Sequence, residues 1–374
     1  MNSKRFSTGS ASMIARSVYG FSLIELMVAL VIGLLLMAAV SQVYLSNKTT
    51  FNTQDQTSQV MEAGNLAMGF IARDLRMAAF AGCASRLFEK GDIDFDTVED
   101  PDANPGGDFA SPFSVAVGGV AGAEADGTGV GATYSISATN PGNGGSFAPG
   151  FAGYTGVNTV PGSDVLKVSQ LVEGRPVRFD PATNDGVFEV DGVDLYEADD
   201  VLVVADCAQA TVFKVTGVVE SGGKSKVSGL VDSAGALGKY KPVGVSVYRL
   251  GTFVYSVMRG ADGTPSLVRA ALNQGYPAGT GTPEELVGGV DSMQITYAES
   301  ASDNASNYVT AADVVDWGNV RAVRIGLLLR TPDEIRPDSD TATYAVGGTN
   351  INPIDDRRQR QVFTTTVALR DRLK

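Results

Sequence analysis

The chain has 374 residues, enough for a full hydrophobic core in one domain or two. Glycine is abundant, at 44 residues against the ~7% of average usage, while charged residues at 19% fall below the ~25% norm, a balance that suits a β-rich, loop-rich chain. The net charge of −13 weighs against broad binding to phosphate backbones, although local basic patches stay open. The absence of histidine removes His-based triads, His-ligated zinc and imidazole acid–base chemistry, but not carboxylate or lysine chemistry.

Phe21 to Val40 reads FSLIELMVALVIGLLLMAAV, about 20 residues that as a helix span about 30 Å, the thickness of a bilayer core. Lys4, Arg5 and Arg16 precede it, so the positive-inside rule keeps the N-terminus cytoplasmic and exports the rest. Three readings compete: a cleaved secretory signal with a passable cut after Ala39-Val40-Ser41, a plain membrane anchor, and a short leader followed by an assembly helix. Glu25 separates them. A carboxylate inside an apolar span costs about 2.5–3.5 kcal/mol on insertion scales and is kept for a partner, which neither a signal peptide nor a plain anchor supplies. Its bland alternative is an acid close enough to the membrane surface to stay hydrated.

Beyond the apolar run, Val60, Ala63, Ala67, Ile71, Leu75 and Ala78 recur at three- and four-residue spacing, with Glu62, Asn65, Arg73 and Arg76 opposite. The pattern predicts an amphipathic helix that ends near Gly82, with polar Asn47 to Gln59 as a less regular stretch. Cys83 and Cys207 are too few for a Cys₄ metal site and do not form a CxxC pair. In an exported chain a bridge is the expectation, closing a long loop and constraining the unfolded chain by roughly 4–5 kcal/mol on the entropy account; two separate buried thiols are the alternative.

After Cys83 short strand-like runs alternate with turn residues, and no dinucleotide or P-loop glycine fingerprint follows a strand. The fold class predicted is α+β. Candidate strands are Asp164–Leu171, Val201–Asp206, Thr211–Val219, Val243–Arg249, Thr252–Met258, Ser266–Leu272, Ser292–Ala298, Val320–Arg330 and Gln361–Arg370, with Gly260-Ala261-Asp262-Gly263 as a hairpin turn. Val323, Ile325, Leu327 and Leu329 share one face, as do Phe363, Thr365, Val367 and Leu369, so both strands read as half-buried. Residues 113–162 are rich in Gly, Ala, Ser and Pro and read as long surface loops. The acidic run from Asp92 to Asp102 fails the spacing of an EF-hand, with Thr97 where glycine and Ala103 where glutamate are needed, and reads as a solvated loop. Trp317 reads as a core cap and Arg357, Arg358 and Arg360 as a solvated, self-paired loop. No metal site, cofactor site or catalytic constellation stands out.

Gly20-Phe21-Ser22-Leu23-Ile24-Glu25-Leu26, behind a basic leader and before an apolar run, resembles the prepilin peptidase motif. The resemblance implies cleavage after Gly20, N-methylation of Phe21, and a role for Glu25 in neutralising the new N-terminal amine during assembly, an attraction strongest at low dielectric. Arg73-Asp74-Leu75-Arg76-Met77-Ala78 with Cys83 soon after, Asp206-Cys207 followed by Val212-Phe213-Lys214-Val215-Thr216, residues 323–330 and residues 361–370 are similar to the PilW family of minor pilins. That family implies a low-copy, non-enzymatic subunit of a type IV pilus. It primes fibre assembly at the inner membrane and ends at the pilus tip. The expected layout is a cleaved leader (1–20), a pilin helix (21–82, with 21–40 transmembrane) packed on a largely antiparallel sheet, and a periplasmic or extracellular β-rich domain (83–374) with a loop-rich insertion at about 90–162. The partners implied are other minor pilins, the major pilin, prepilin peptidase, the inner-membrane assembly platform and a tip adhesin. Rival readings are a J-type minor pseudopilin of type II secretion and, from another class, a membrane-anchored exported enzyme.

Overall fold

The computed structural model describes residues 20–78, 93–96, 117–122, 133–136, 147–148, 159–160, 162–179, 186–198, 200–207, 210–229, 240, 244–260, 263–272, 283–299, 308–315 and 317–369. One helix, α1 (Leu23–Met77), crosses the division between two compact units, residues 1–54 and 55–374. In the first unit residues 20–52 are all exposed. The polar stretch after the apolar run is regular helix, not the looser segment expected. Its hydroxyls are absorbed by the helix itself: Thr49, Thr50 and Thr53 donate to the carbonyls of Leu45, Ser46 and Thr49 at 3.0, 2.9 and 2.9 Å. Such back-bonding satisfies a serine or threonine without leaving the helical path.

In the second unit α1 buries Gln56, Val60, Gly64, Ala67, Ile71, Ala72, Asp74 and Leu75, in agreement with the predicted stripe. Ala63 packs against the same core from a partly buried position. The helix closes at Ala78, whose amide donates to the Leu75 carbonyl at 3.2 Å; the expected end near Gly82 lies outside the described residues.

Strands are numbered in chain order. The larger sheet runs β1 (Ile93–Asp96), β8 (Ala210–Lys214), β7 (Val201–Ala205), β11 (Ser246–Arg259), β5 (Val165–Arg178), β6 (Val187–Asp191), β10 (Lys224–Ser228) and β9 (Gly217–Ser221). From it branch β12 (Pro265–Leu272) beside β11 with β13 (Glu284–Gly288) beside β12, and β2 (Val117–Gly122) beside β5 with β4 (Phe147–Ala148) beside β2. A second sheet runs β15 (Tyr308–Val309), β14 (Val290–Glu299), β16 (Val320–Arg330) and β19 (Arg360–Ala368). A third holds β17 (Tyr344–Val346), β18 (Thr349–Asn352) and β3 (Thr133–Ser135). Pairing is antiparallel except for β1 with β8 and β18 with β3. The fold is α+β, a long N-terminal helix with a mostly antiparallel headgroup.

The main core forms where the α1 stripe meets one face of the second sheet, through Val323, Ile325, Leu327 and Leu329 of β16, together with Leu166 and Val168 of β5 and Tyr255 and Val257 of β11. At the usual ~25 cal/mol per Å² of apolar surface, each fully buried side chain of this kind contributes about 1.5–3 kcal/mol. A separate cluster of Phe188, Val190, Leu202, Phe213, Val227 and Val247 serves the β6–β10–β9 end and contains no residue of α1. Phe188 and Phe213 meet edge to face there, 5.7 Å between centroids.

Several expectations change. β16 is buried on both faces, because Leu328 packs with Tyr134, Val346 and Ile351 of the third sheet. β19 keeps the half-buried pattern, with Val367 buried and Thr364 and Thr366 exposed. Val243–Arg249 and Thr252–Met258 are not two strands; they merge into β11, whose register on β5 shifts between Val247 and Arg249. The predicted Thr211–Val219 strand divides into β8 and β9, since the Val215 and Thr216 amides turn to the carbonyls of Asp200 and Ser228. Within residues 113–162, β2, β3 and β4 replace loop. The Gly and Ala of β2 give no side-chain period to read, and β3 and β4 are too short to show one, yet their backbones pair. Tyr134 of β3 fills the space a Cβ would need at Gly162, whose φ of +74° also favours glycine. Ile93–Asp96 of the acidic run is strand β1, paired in parallel with β8; Asp92 and residues 97–102 lie outside the described residues. The Gly260–Gly263 turn is observed, its Gly263 amide donating to the Gly260 carbonyl at 3.0 Å. Trp317 caps the main core edge to face on Tyr297, 4.8 Å between centroids.

Candidate functional site

The candidate site begins where helix begins. Gly20 and Phe21 lie in exposed, non-helical backbone, Phe21 being 83% exposed. Ser22 is the N-cap: its Oγ accepts from the Glu25 amide at 3.2 Å, and its carbonyl accepts the first helical bond, from Leu26, at 3.1 Å. Ser22 and Glu25 thus stand at the spacing of a capping box, where a serine hydroxyl satisfies an orphan amide of the first turn. Glu25 is the acidic residue of that turn, on the side of the macrodipole that favours a carboxylate. Gly20, Phe21 and Glu25 are therefore brought together as a contiguous exposed unit. Ser22, which the sequence reading passed over, organises it; the serine three residues before a glutamate was the available signal.

Beyond Glu25 the helix is apolar and exposed. An 18-residue window of α1 reaches a mean hydropathy of 2.8 with none of it buried, long and apolar enough to cross a membrane. Leu23, Ile24, Leu26, Leu30, Leu35 and Met37 are each more than half exposed.

Within the second unit α1 is held by polar contacts that its apolar stripe does not announce. Gln56 and Asp333 pair reciprocally: Gln56 Nε2 donates to Asp333 Oδ2 at 2.8 Å and the Asp333 amide to Gln56 Oε1 at 3.1 Å. Buried Asp74 accepts from the Tyr255 hydroxyl at 2.5 Å and lies 3.5 Å from Arg269. Burial first, then the hydrogen bond to the Asp74 carboxylate, pushes the Tyr255 phenol well above its ordinary range. Between these pins Gly64 lets the Phe363 ring lie on the helix backbone; a Cβ there would overlap the ring.

In the Arg357, Arg358 and Arg360 group the expected self-pairing is observed, with Arg358 and Arg360 both on Asp356, and Arg357 is exposed, but Arg360 is not solvated. The Arg360 side chain is fully buried and donates to Asp291 at 2.8 Å, to Asp340 at 3.3 Å and to both Asp356 oxygens at 2.7 and 3.0 Å. Arg330 pairs with Asp291, and Arg336 with Asp340. The Tyr344 hydroxyl donates to Asp340 at 2.8 Å. Burial opposes the Asp356 charge, but hydrogen bonds from Arg360 and the Arg358 amide hold its carboxyl below the usual range. Sequence reasoning missed the network because Asp291 and Asp340 come from β14 and a loop, far along the chain from Arg360. It ties residues 331–359 to the ends of β14, β16 and β19.

Cys207 follows β7, whereas Cys83 lies outside the described residues. Among the described residues no group of three or more His, Cys, Asp or Glu side chains could hold a metal ion.

Residues 254–371, from β11 through β19, match the family described as type IV pilus-assembly protein W, and residues 15–41 match the prokaryotic N-terminal methylation motif. No curated protein matches the chain. Among solved structures, a type IV-like pilin from Thermus thermophilus is similar at 17% identity, covering 48% of this chain and 87% of that one with a TM-score of 0.24. Tyr255, Arg269 and the whole Arg360 network fall in the first matched region; Gly20, Phe21 and Glu25 fall in the second. The matched family is structural, not enzymatic. The two sequence matches, at opposite ends of the chain, support a PilW-like minor pilin of the type IV pilus class.

Proposed function

We propose that the chain is a minor pilin of the priming and tip complex of a type IV pilus, matured by prepilin peptidase after Gly20 and methylated on Phe21. The carrying observation is the exposed, non-helical Gly20–Phe21 junction directly before a capped apolar helix with Glu25 in its first turn. In this reading residues 1–20 are a cytoplasmic leader, 21–40 span the inner membrane, and the β-rich domain from 83 onward is periplasmic before assembly and at the cell surface after it. Glu25 neutralises the Phe21 amine in the assembled state, where the carboxylate and the amine each offset the cost of burying the other. The partners are other minor pilins, the major pilin, the assembly platform and a tip adhesin.

Size favours a tip over a repeated position. A headgroup of nearly 300 residues would crowd lateral neighbours along a fibre and has room only at its end. The PilW match favours a pilus over type II secretion. Cys83 and Cys207 form a bridge in this proposal, which non-reducing peptide mapping reads directly. The central test is N-terminal sequencing of mature protein from peptidase-positive cells. It should begin at methylated Phe21, and a start at Gln42 would sink the reading.

A further inference from the structure

We propose that the open edge of β19 is an interaction surface: it takes a strand from the headgroup of a neighbouring, different pilus subunit, which extends the second sheet by main-chain hydrogen bonds. The inference rests on the minor-pilin reading above and adds to it where the headgroup meets its neighbour.

β19 is the last strand of the second sheet, and among the described residues no strand pairs with its side away from β16. The Leu369 amide donates to the Arg321 carbonyl at 2.9 Å, and the register on β16 runs from Ala368 to Arg360 without a shift. In an antiparallel pair the amide and carbonyl of one residue point to the same side, and that side alternates along the strand. Residues of odd number therefore turn to β16, whereas Val362, Thr364, Thr366 and Ala368 aim both groups outward. Thr364, Thr366 and Ala368 are exposed. Such a row is a template on which another strand can form.

The other edges of these sheets are blunted. Shortness and charge are the usual means. β15 has two residues; β1 has four, two of them aspartate; β9 and β13 have five each and carry Glu220 and the Glu284–Glu285 pair. β19 has nine residues. After Arg360, whose charge is spent inside its aspartate network, it reads Gln-Val-Phe-Thr-Thr-Thr-Val-Ala, without charge, glycine or proline. A long edge of this composition invites aggregation unless a partner covers it.

The position of the edge selects the partner. Phe363 of β19 lies against α1 at Gly64 and is only partly buried, so the edge adjoins the helix. A subunit whose helix packs beside α1 brings its own headgroup to this edge. The strand it supplies is about seven residues long. It carries an apolar residue beside Phe363 on the helix side and β-branched or polar residues beside Thr364 and Thr366 on the other. A second copy of this chain does not fit. Paired antiparallel through the same edge it would reverse α1, and paired parallel it would put its helix on the opposite face of the joined sheet. Either arrangement breaks the common membrane polarity or the side-by-side helices that the minor-pilin reading requires.

The test uses the full-length chain in piliated cells. A photo-crosslinking benzoylphenylalanine placed at Thr366 should trap a different pilin-class subunit through a peptide of its headgroup, and the same group at exposed Val219 of β9 should not. Thr366→Pro removes an outward amide and leaves the β16 ladder whole; Thr366→Lys keeps the amide and adds a blocking charge. Each should lower incorporation into sheared pili roughly ten-fold, with the headgroup melt of the full chain in detergent unchanged. Should the proline variant fold poorly, the lysine variant carries the test. In the free chain, hydrogen exchange should be fast at Thr364 and Thr366 and slow at Phe363 and Thr365. Slow exchange at Thr364 and Thr366, a crosslink to a second copy or to a partner helix, equal trapping at Val219, or normal incorporation of the lysine variant overturns the proposal. Absence of the wild-type chain from sheared pili removes the minor-pilin reading itself, and is told apart because it concerns the unmodified protein.

Discussion

The two halves of α1 form one continuous helix and obey opposite rules. From Leu23 to Val40 it is almost wholly apolar and wholly exposed; from Gln56 to Leu75 it carries Gln, Asp and Gly on its buried face. Hydrophobic content alone therefore does not say which part of a helix enters a protein core. The first half is apolar all round, the pattern of a span whose solvent is lipid. The second half has a stripe, and within it polar residues fix the position that apolar contacts alone would let slide. Gln56 and Asp74 stand near the two ends of that stripe with Gly64 between them, so contacts at separated points oppose sliding along the axis.

The largest perturbation expected is loss of Arg360. Replacing it by alanine leaves Asp291, Asp340 and Asp356 without their shared buried cation, and breaking such a buried group costs about 3–5 kcal/mol. Chemical denaturation of the full chain in detergent should show this as a fall in the headgroup midpoint, with the far-UV signal of the first half of α1 retained beyond it. A midpoint equal to wild type would show that the network adds nothing to the second half's hold.

Next come the helix glycines. Gly64→Leu drives a side chain into the Phe363 ring and should lower headgroup stability by about 1–3 kcal/mol, whereas Gly33, with nothing within 4 Å of a built Cβ, should accept leucine without loss. Equal melting temperatures for the two variants would contradict the contrast between the halves.

A smaller effect concerns acid. Asp356 has a folded pKa below its ordinary value of 3.8, so its stabilisation is fully present above that value and is lost as pH falls through the lower folded pKa. Asp356→Asn should therefore flatten the acid limb of the stability–pH curve below pH 4 relative to wild type. An unchanged limb would assign acid sensitivity to other carboxylates.

The smallest effect on stability belongs to Glu25. Glu25→Gln should leave export and the headgroup melt unchanged, because Glu25 is exposed, while incorporation into fibres falls. Normal incorporation, measured by immunoblot of sheared pili, would argue against pairing with the Phe21 amine.

Much of this was legible in the chain. The apolar run, the basic residues before it and Glu25 within it could be read directly, since a bilayer span needs only length and composition. The stripe of Val60, Ala67, Ile71 and Leu75 was equally visible from its spacing. Asp74 falls on that stripe, three residues after Ile71 and four before Ala78, so its burial was also available to a stricter reading of the period. β16 and β19 were visible as strands, but only β19 keeps one face open. The second face of β16 is covered by Tyr134, Val346 and Ile351, two of them about 20 residues downstream and one nearly 200 upstream. β2 was hidden because glycine and alanine carry no period, and β3 and β4 because three and two residues are too short to show one.

Sequence by itself determined what depends on local chemistry: the apolar span of membrane length, the methylation motif with its glutamate, and the register of the helix stripe. Tertiary structure decided what depends on residues meeting across the chain. It turned Arg360 from a surface charge into the buried centre of three aspartates, and it made Gly326 a site where backbone meets backbone, with no room for a Cβ against the Gly347 nitrogen. The division has a physical cause. A membrane span and an amphipathic stripe are written in neighbouring residues, whereas burial of a charge is favourable only when its partners arrive from elsewhere.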